Sequence, residues 1–324
     1  MFRLSASFPF PDGLLFVHIP KTAGTSFRYA ASLPYGESAF YDYGVGNPAT
    51  SPLIESYAYP NKRLFELGKA LALHPQLFLG GHFPVRKYAP LFQSKNIILF
   101  LRDPIQRTIS EYHHCCRTQG FNRGLQAFCN ESRYQNVQKK YTVGFPLAVA
   151  GFVGLQEDYV QSLRMLEQLY PVQFPELREN INSDRDAVGY SLSDEEYAWV
   201  LAANQEDMVL YAHAVGLYQE RSRLFAAGLP YVYGLVDVLN TKRLHGWAFS
   251  VVDDAPCCVE VWVNGVMQGQ VLAQEHCSGL SAWNTPRHAY VGFDFAFPKL
   301  LQTDDRVECR VVGTGQVLLG LKQV

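Results

Sequence analysis

The apolar run Leu14-Leu15-Phe16-Val17-His18-Ile19 is followed at once by Pro20, then by a loop of Lys, Thr, Ala, Gly and Ser, and then by helix-forming residues from about 27 to 33. An apolar run this short, closed by a proline and a small-residue loop, reads as a strand buried on both faces. A buried strand that feeds straight into a helix is the opening unit of a parallel sheet covered by helices. Short apolar runs at 77–79 and 96–101 extend the pattern. The second leads into Asp103-Pro104, where Asp as N-cap and Pro as first helical residue start a helix predicted to reach about Cys116. Ser193-Asp194-Glu195-Glu196 is a capping box, and Asn204 followed by Glu206 and Asp207 opens a helix to about Phe225. The chain to about residue 225 therefore reads as α/β.

Past Gly228-Leu229-Pro230 the pattern changes. Val259-Glu260-Val261-Trp262-Val263 alternates at period two and runs into Asn264-Gly265, the favoured dipeptide of a type I′ hairpin turn. Phe293, Phe295 and Phe297 alternate again, and 306–312 is a further candidate strand. Residues 231–324 are expected to form a small all-β, sandwich-like domain after an α/β domain at 1–230. A chain of 324 residues has room for both.

The net charge is -2, so no overall positive field exists to hold nucleic acid, and no nucleic-acid partner is expected. Charge is segregated locally. Residues 76–145 carry ten Lys or Arg against three Asp or Glu, and residues 146–212 carry three against twelve. The apolar runs fall far short of the roughly 20 residues that span a bilayer, so no transmembrane segment is expected. With no basic segment and apolar run at the N-terminus, and with seven cysteines in no C-x-x-C pattern, a cytoplasmic location with reduced thiols is the expectation.

Two segments carry chemistry. Pro20-Lys21-Thr22-Ala23-Gly24-Thr25-Ser26 lies between a strand and a helix, where backbone N–H groups at the helix start can enclose a phosphate-like anion, Lys21 adds a full charge, and Thr22, Thr25 and Ser26 add hydroxyls. Lys21 precedes Gly24, the reverse of the Walker A order, so an ordinary ATP-binding loop is not written here. The second segment, residues 102–112, places Arg102 at the end of a strand, with Ser110 on the following helix one turn beyond Arg107. An Arg fork with a Ser hydroxyl makes a second phosphate site.

Together the two motifs resemble the sulfotransferases that use 3′-phosphoadenosine 5′-phosphosulfate (PAPS), most closely the uronyl and heparan 2-O-sulfotransferase branch and its bacterial relatives. Ile19 to Ser26 matches the family's I-P-K-T-x-x-T-S loop, and Arg102 to Tyr112 matches R-D-P-x-x-R-x-x-S-x-Y. Weaker likeness runs through Asn136-Val137-Gln138, Gly154-Leu155-Gln156-Glu157 and residues 204–211, and stops before the β domain. The resemblance implies a P-loop-like parallel sheet, with Pro20, Lys21, Thr22, Ala23, Gly24, Thr25 and Ser26 around the 5′-phosphosulfate and Arg102 and Ser110 on the 3′-phosphate. It implies Lys21 at the leaving group, and a saccharide or glycoconjugate hydroxyl as acceptor in a bacterial enzyme. His82 in Gly80-Gly81-His82 matches the second histidine of the branch's H-x-H and is implied as general base, whereas Gly80 replaces the first.

His82 is a candidate on its own chemistry too, because an imidazole with a reference pKa of about 6.5 takes a hydroxyl proton near neutrality. Glu111 and His18 are the next candidates for that role. His113-His114-Cys115-Cys116 sits on one predicted helix where adjacent residues splay apart, so no metal is expected. Trp247, Trp262 and Trp283 in the β domain read either as core or as a sugar-stacking platform, core being favoured. A non-catalytic nucleotide- or glycan-binding protein is the alternative function. The oligomeric state is not legible.

Overall fold

The computed structural model describes residues 9–60, 62–74, 76–170 and 190–320. Part of the acidic segment noted above lies outside them.

The first strand, β1 (Leu14–Val17), is wholly buried and sits at the centre of a five-stranded parallel sheet. It lies between β3 (Phe78–Gly81) and β4 (Ile97–Leu101); β2 (Ala39–Asp42) pairs outside β3, and β5 (Phe152–Leu155) outside β4. Burial on both faces explains why β1 and β4 carry unbroken apolar sequence instead of alternation. The helices are α1 (Gly24–Ser32), α2 (Pro52–Ala58), α3 (Leu64–Leu71), α4 (Pro104–Thr118), α5 (Gly124–Cys129), α6 (Val137–Thr142), α7 (Tyr159–Leu169), α8 (Asp194–Ala203) and α9 (Gln205–Ala226). α1 starts three residues earlier than its apolar pattern suggested, because the loop residues themselves form the first turn.

Two helix starts follow the sequence reading and one does not. Asp103 accepts the Gln106 N–H at 2.9 Å, and Ser193 forms the capping box with Glu196. Asn204 instead turns back to donate to the Val200 carbonyl at 2.8 Å and closes α8. The acceptor at the start of α9 comes from Asn136, whose Oδ1 takes the N–H groups of Glu206 and Asp207. Asp207 in turn accepts the Gln138 and Lys139 N–H groups at 3.0 and 2.7 Å. The two helix starts thus satisfy each other's orphan donors.

By compactness the chain divides into two units. One comprises residues 1–92, 96–145 and 150–215; the other comprises 93–95, 146–149 and 216–324, so the division falls inside α9. The second unit holds two four-stranded sheets, in strand orders β10-β11-β7-β6 and β13-β12-β8-β9. Their strands are β6 (Tyr233–Leu239), β7 (Arg243–Phe249), β8 (Cys258–Val263), β9 (Val266–Leu272), β10 (Glu275–His276), β11 (Tyr290–Ala296), β12 (Val307–Val311) and β13 (Val317–Leu318). Leu244, Ala248 and Phe293 from the first sheet share one core with Val259, Val261, Cys309 and Val311 from the second. Asn264 and Gly265 adopt φ 49° and 76°, as a type I′ turn requires. Trp247 is core; Trp262 is half-buried, with Arg310 over its ring at 4.9 Å. Among the described residues no helix is long and apolar enough to cross a membrane.

Candidate functional site

Each of the five parallel strands hands a residue to the site at its carboxyl end. His18 follows β1, Asp42 ends β2 with Tyr43 after it, His82 follows β3, Arg102 follows β4, and Glu157 lies just beyond β5. In an open α/β sheet these ends are where ligands bind, since loops there lead into helix N-termini.

After β1 the chain makes its turn with Lys21 and Ala23 in the left-handed region, at φ 70° and 63°. Such conformations cost non-glycine residues of order 1 kcal/mol or more each, so the loop stores strain. Thr22 is buried and donates its hydroxyl to the Ile19 carbonyl at 2.9 Å, which commits that proton to shaping the loop. Ala23 is the N-cap of α1 and no side chain caps this helix. The start of α1 is therefore a positive helix end with Lys21 beside it, while Thr25 is exposed and Ser26 partly so.

Arg102 is 7% exposed. Its backbone is held at two points by the buried Gln138 side chain: Arg102 N–H donates to Oε1 at 2.9 Å, and Nε2 donates to the Arg102 carbonyl at 2.8 Å. The Arg102 Nη1 reaches the Lys21 carbonyl at 3.4 Å, joining the second motif to the first. Its Nε is buried and finds no acceptor among the described residues. One residue on, Asp103 N–H donates to Glu157, whose other oxygen accepts the Tyr211 hydroxyl. The weakly similar segments at 136–138, 154–157 and 204–211 thus become the braces of Arg102 and Asp103.

On α4, Ser110 is 8% exposed and Arg107 is fully buried. Arg107 donates to Thr108 Oγ1 at 3.1 Å, but its Nε and Nη1 meet no acceptor among the described residues. Burial pulls its pKa below the usual value against the opposing fields of Asp207 and Glu111. Unmet donors of this kind at the base of α4 suit an anion that completes them. Arg107 stood in the motif without being assigned a role from sequence, and its burial is what marks it.

His82 is exposed on one side. Its backbone N–H donates to the Asp42 carbonyl at 2.8 Å and its Nδ1 lies 2.6 Å from the His18 carbonyl. Gly81 permits the first contact, because a Cβ there would stand 2.0 Å from the Asp42 oxygen. Asp42 itself is fixed by Tyr59, Lys87, Tyr88 and the Gly44 N–H. Partial desolvation holds the His82 pKa below its ordinary value; the His18 carbonyl and Glu111 oppose this and Arg28 reinforces it. Where the resemblance puts a first histidine, Gly80 leaves room that the Phe78 ring fills. A second imidazole nevertheless stands beside His82, from β1. The His18 ring centroid is 4.4 Å away.

His18 is buried, and desolvation, with the charges of His82 and Arg28, pushes its pKa down to about 2. It is therefore neutral at any physiological pH and shielded from solvent. Arg28 on α1 lies 5.5 and 5.3 Å from the Tyr41 and Tyr43 rings. No sequence signal pointed to Arg28 or Tyr43, since only the packing of α1 and the register of β1, β2 and β3 bring them to His82. Of the histidine–cysteine run on α4, Cys115 faces Glu111 and Tyr134 while the His113 ring lies against Tyr190. Among the described residues no group of three metal-type side chains gathers.

Residues 11–161 match the model of the sulfotransferase family. That span contains the loop after β1, His82, Arg102 and Ser110, and it supports a sulfotransferase enzyme. No curated protein matches the chain.

Proposed function

We propose that the protein transfers the sulfuryl group of PAPS to a hydroxyl of a saccharide or glycoconjugate. The observation that carries this reading is the delivery of both anion motifs and His82 to the carboxyl ends of adjacent strands β1, β3 and β4. PAPS, when bound, supplies the activated sulfuryl group. The residues present suit it: the side-chain-free start of α1 and Lys21 for the 5′ end, and Arg102 with Ser110 for the 3′-phosphate. His82 takes the proton of the acceptor hydroxyl, and Lys21 offsets negative charge at the departing phosphate oxygen. Sulfuryl oxygens carry less charge than phosphoryl oxygens, so a lysine and backbone donors suffice where phosphoryl transfer uses a metal.

All these residues precede residue 230, and the reading gives the β domain no part in binding the donor. The seven cysteines, all present as thiols, suit a cytoplasmic setting. The test is transfer of label from ³⁵S-PAPS to a panel of glycans, together with calorimetry of PAPS, adenosine 3′,5′-bisphosphate and AMP. Transfer to at least one glycan, with PAPS and the bisphosphate bound more tightly than AMP, is expected. Tight bisphosphate binding without transfer to any acceptor would instead favour a binding protein.

A further inference from the structure

Hydrogen-bond chemistry fixes where one of the two neighbouring histidines, His82, keeps its proton. A carbonyl oxygen only accepts, so the 2.6 Å contact with the His18 carbonyl requires His82 Nδ1 to carry the hydrogen. Neutral His82 then presents a bare Nε2. The His18 ring has its own partner. The Tyr43 hydroxyl and His18 Nδ1 share a hydrogen bond of 3.1 Å, which either tautomer of His18 can make. The Arg28 guanidinium lies over the Tyr43 ring, 5.3 Å from its centroid.

The His18 ring is also wedged in place. It stacks on Phe16 at 5.6 Å and 21°, meets Tyr43 edge-on, and lies so close to Gly24 that a Cβ there would come within 2.1 Å of it. A ring held on three sides holds its own carbonyl, and that carbonyl holds His82.

We infer that His18 is the positioning residue of His82: its wedged ring fixes the carbonyl that keeps the hydrogen on His82 Nδ1 and leaves His82 Nε2 as the atom that receives the acceptor's proton. The inference rests on the proposed role of His82 as base. The charged and titratable groups facing His82 are Arg28 from α1, Glu111 from α4, His18 from the end of β1 and Tyr43 after β2. Arg28 and Glu111 act in opposite directions and His18 stays uncharged, so His82 is the member of the pair that takes the proton.

The experiment is long-range ¹H–¹⁵N NMR of the imidazoles in the full chain at pH 8 without ligand, with signals assigned through His82→Ala and His18→Asn. Hydrogen on Nδ1 of His82 is expected; hydrogen on Nε2 of His82 overturns the assignment. His18→Ala removes the wedge. His82 should then average between tautomers and turnover should fall roughly tenfold or more, with affinity for adenosine 3′,5′-bisphosphate within about threefold of the parent. His18→Asn keeps a flat polar side chain in reach of Tyr43 and should restore the Nδ1–H form. A single, unchanged Nδ1–H signal for His82 in His18→Ala would defeat the positioning role even if that variant were less stable. If the parent shows the expected tautomer yet transfers no sulfuryl group, the functional reading fails and the tautomer assignment is supported.

Discussion

The proposed anion cradle and the proposed base pocket meet at His18, yet they are built in different ways. The cradle is local: Ile19 to Ser26 form one turn whose shape comes from two left-handed residues and one Thr22 hydrogen bond. The pocket around His82 is assembled from residues far apart in sequence, namely 18, 28, 43 and 111, each brought in by a different element. The cradle is formed of charge and backbone donors that any anion of the right shape satisfies. The pocket is formed of rings, with the opposed charges of Arg28 and Glu111 beside them, and its value lies in orientation. Changes in the first should therefore be read in affinity, and changes in the second in turnover.

The sharpest test of that division is His82→Ala. Turnover should fall by roughly 10² to 10⁴, the range for a lost general base, while bisphosphate affinity is nearly unchanged. The parent's rate should rise with pH as the imidazole loses its proton, in a limb below the ordinary histidine value of about 6.5, because desolvation and Arg28 depress the His82 pKa. A variant that keeps the same limb and near-parental transfer would place the base elsewhere. His18 is then a poor successor, being buried and neutral, which leaves Glu111, whose buried Oε2 has no partner among the described residues.

On the affinity side, Arg102→Ala should cost about 2 kcal/mol or more of bisphosphate binding, roughly 30-fold, and should leave AMP binding almost untouched. The substitution strands no partner of Nε, which has no acceptor among the described residues, but it releases the Lys21 carbonyl from Nη1 and empties a buried position, so binding is to be compared between folded samples. Equal losses for AMP and the bisphosphate in calorimetry would remove Arg102 from the 3′-phosphate site.

What the sequence made legible follows the same line. The parallel sheet, the Asp103 and Ser193 caps, the Asn264-Gly265 turn and the cradle are all written in contiguous residues, where local geometry decides the outcome. The edge strand β2, Ala39–Asp42, was not foreseen, since Ala-Phe-Tyr-Asp is too short and too polar to stand out. Its loss from the reading concealed Tyr43 and the Asp42 carbonyl, and with them the frame around His82. Asn204 failed as a cap for a related reason: a side chain chooses among nearby backbone groups, and Asn136, distant in sequence, was better placed to satisfy the start of α9.

Gly24→Ala should break the separation between the halves. Its Cβ would fall 2.1 Å from His18 Cδ2, a distance no contact tolerates, so either the α1 turn or the His18 ring must move. Overpacking of this kind costs about 1–3 kcal/mol. Affinity for the bisphosphate and turnover should fall together, unlike in His82→Ala or Arg102→Ala. A drop in one alone, measured by calorimetry and by labelled transfer, would show that the cradle and the pocket do not share the His18 wall.

The smallest effect at neutral pH, and the most specific to the pocket, is the contribution of His18 to acid sensitivity. In the folded chain its pKa is depressed to about 2, against an ordinary value of 6.5 once unfolded. Above pH 6.5 both states hold it neutral and it adds nothing to the pH dependence. As pH falls below 6.5 the unfolded chain binds a proton that the folded chain refuses, so stability drops by about 1.4 kcal/mol per pH unit until the folded pKa is reached. Between pH 7 and 5 the loss from this one residue is about 2 kcal/mol. His18→Asn does not titrate and should flatten the fall in urea-unfolding free energy over that interval by about the same amount, whatever its stability at pH 7. An acid limb as steep as the parent's would mean that the His18 ring is protonated or solvated in the folded state, and the neutral wall beside His82 would no longer stand.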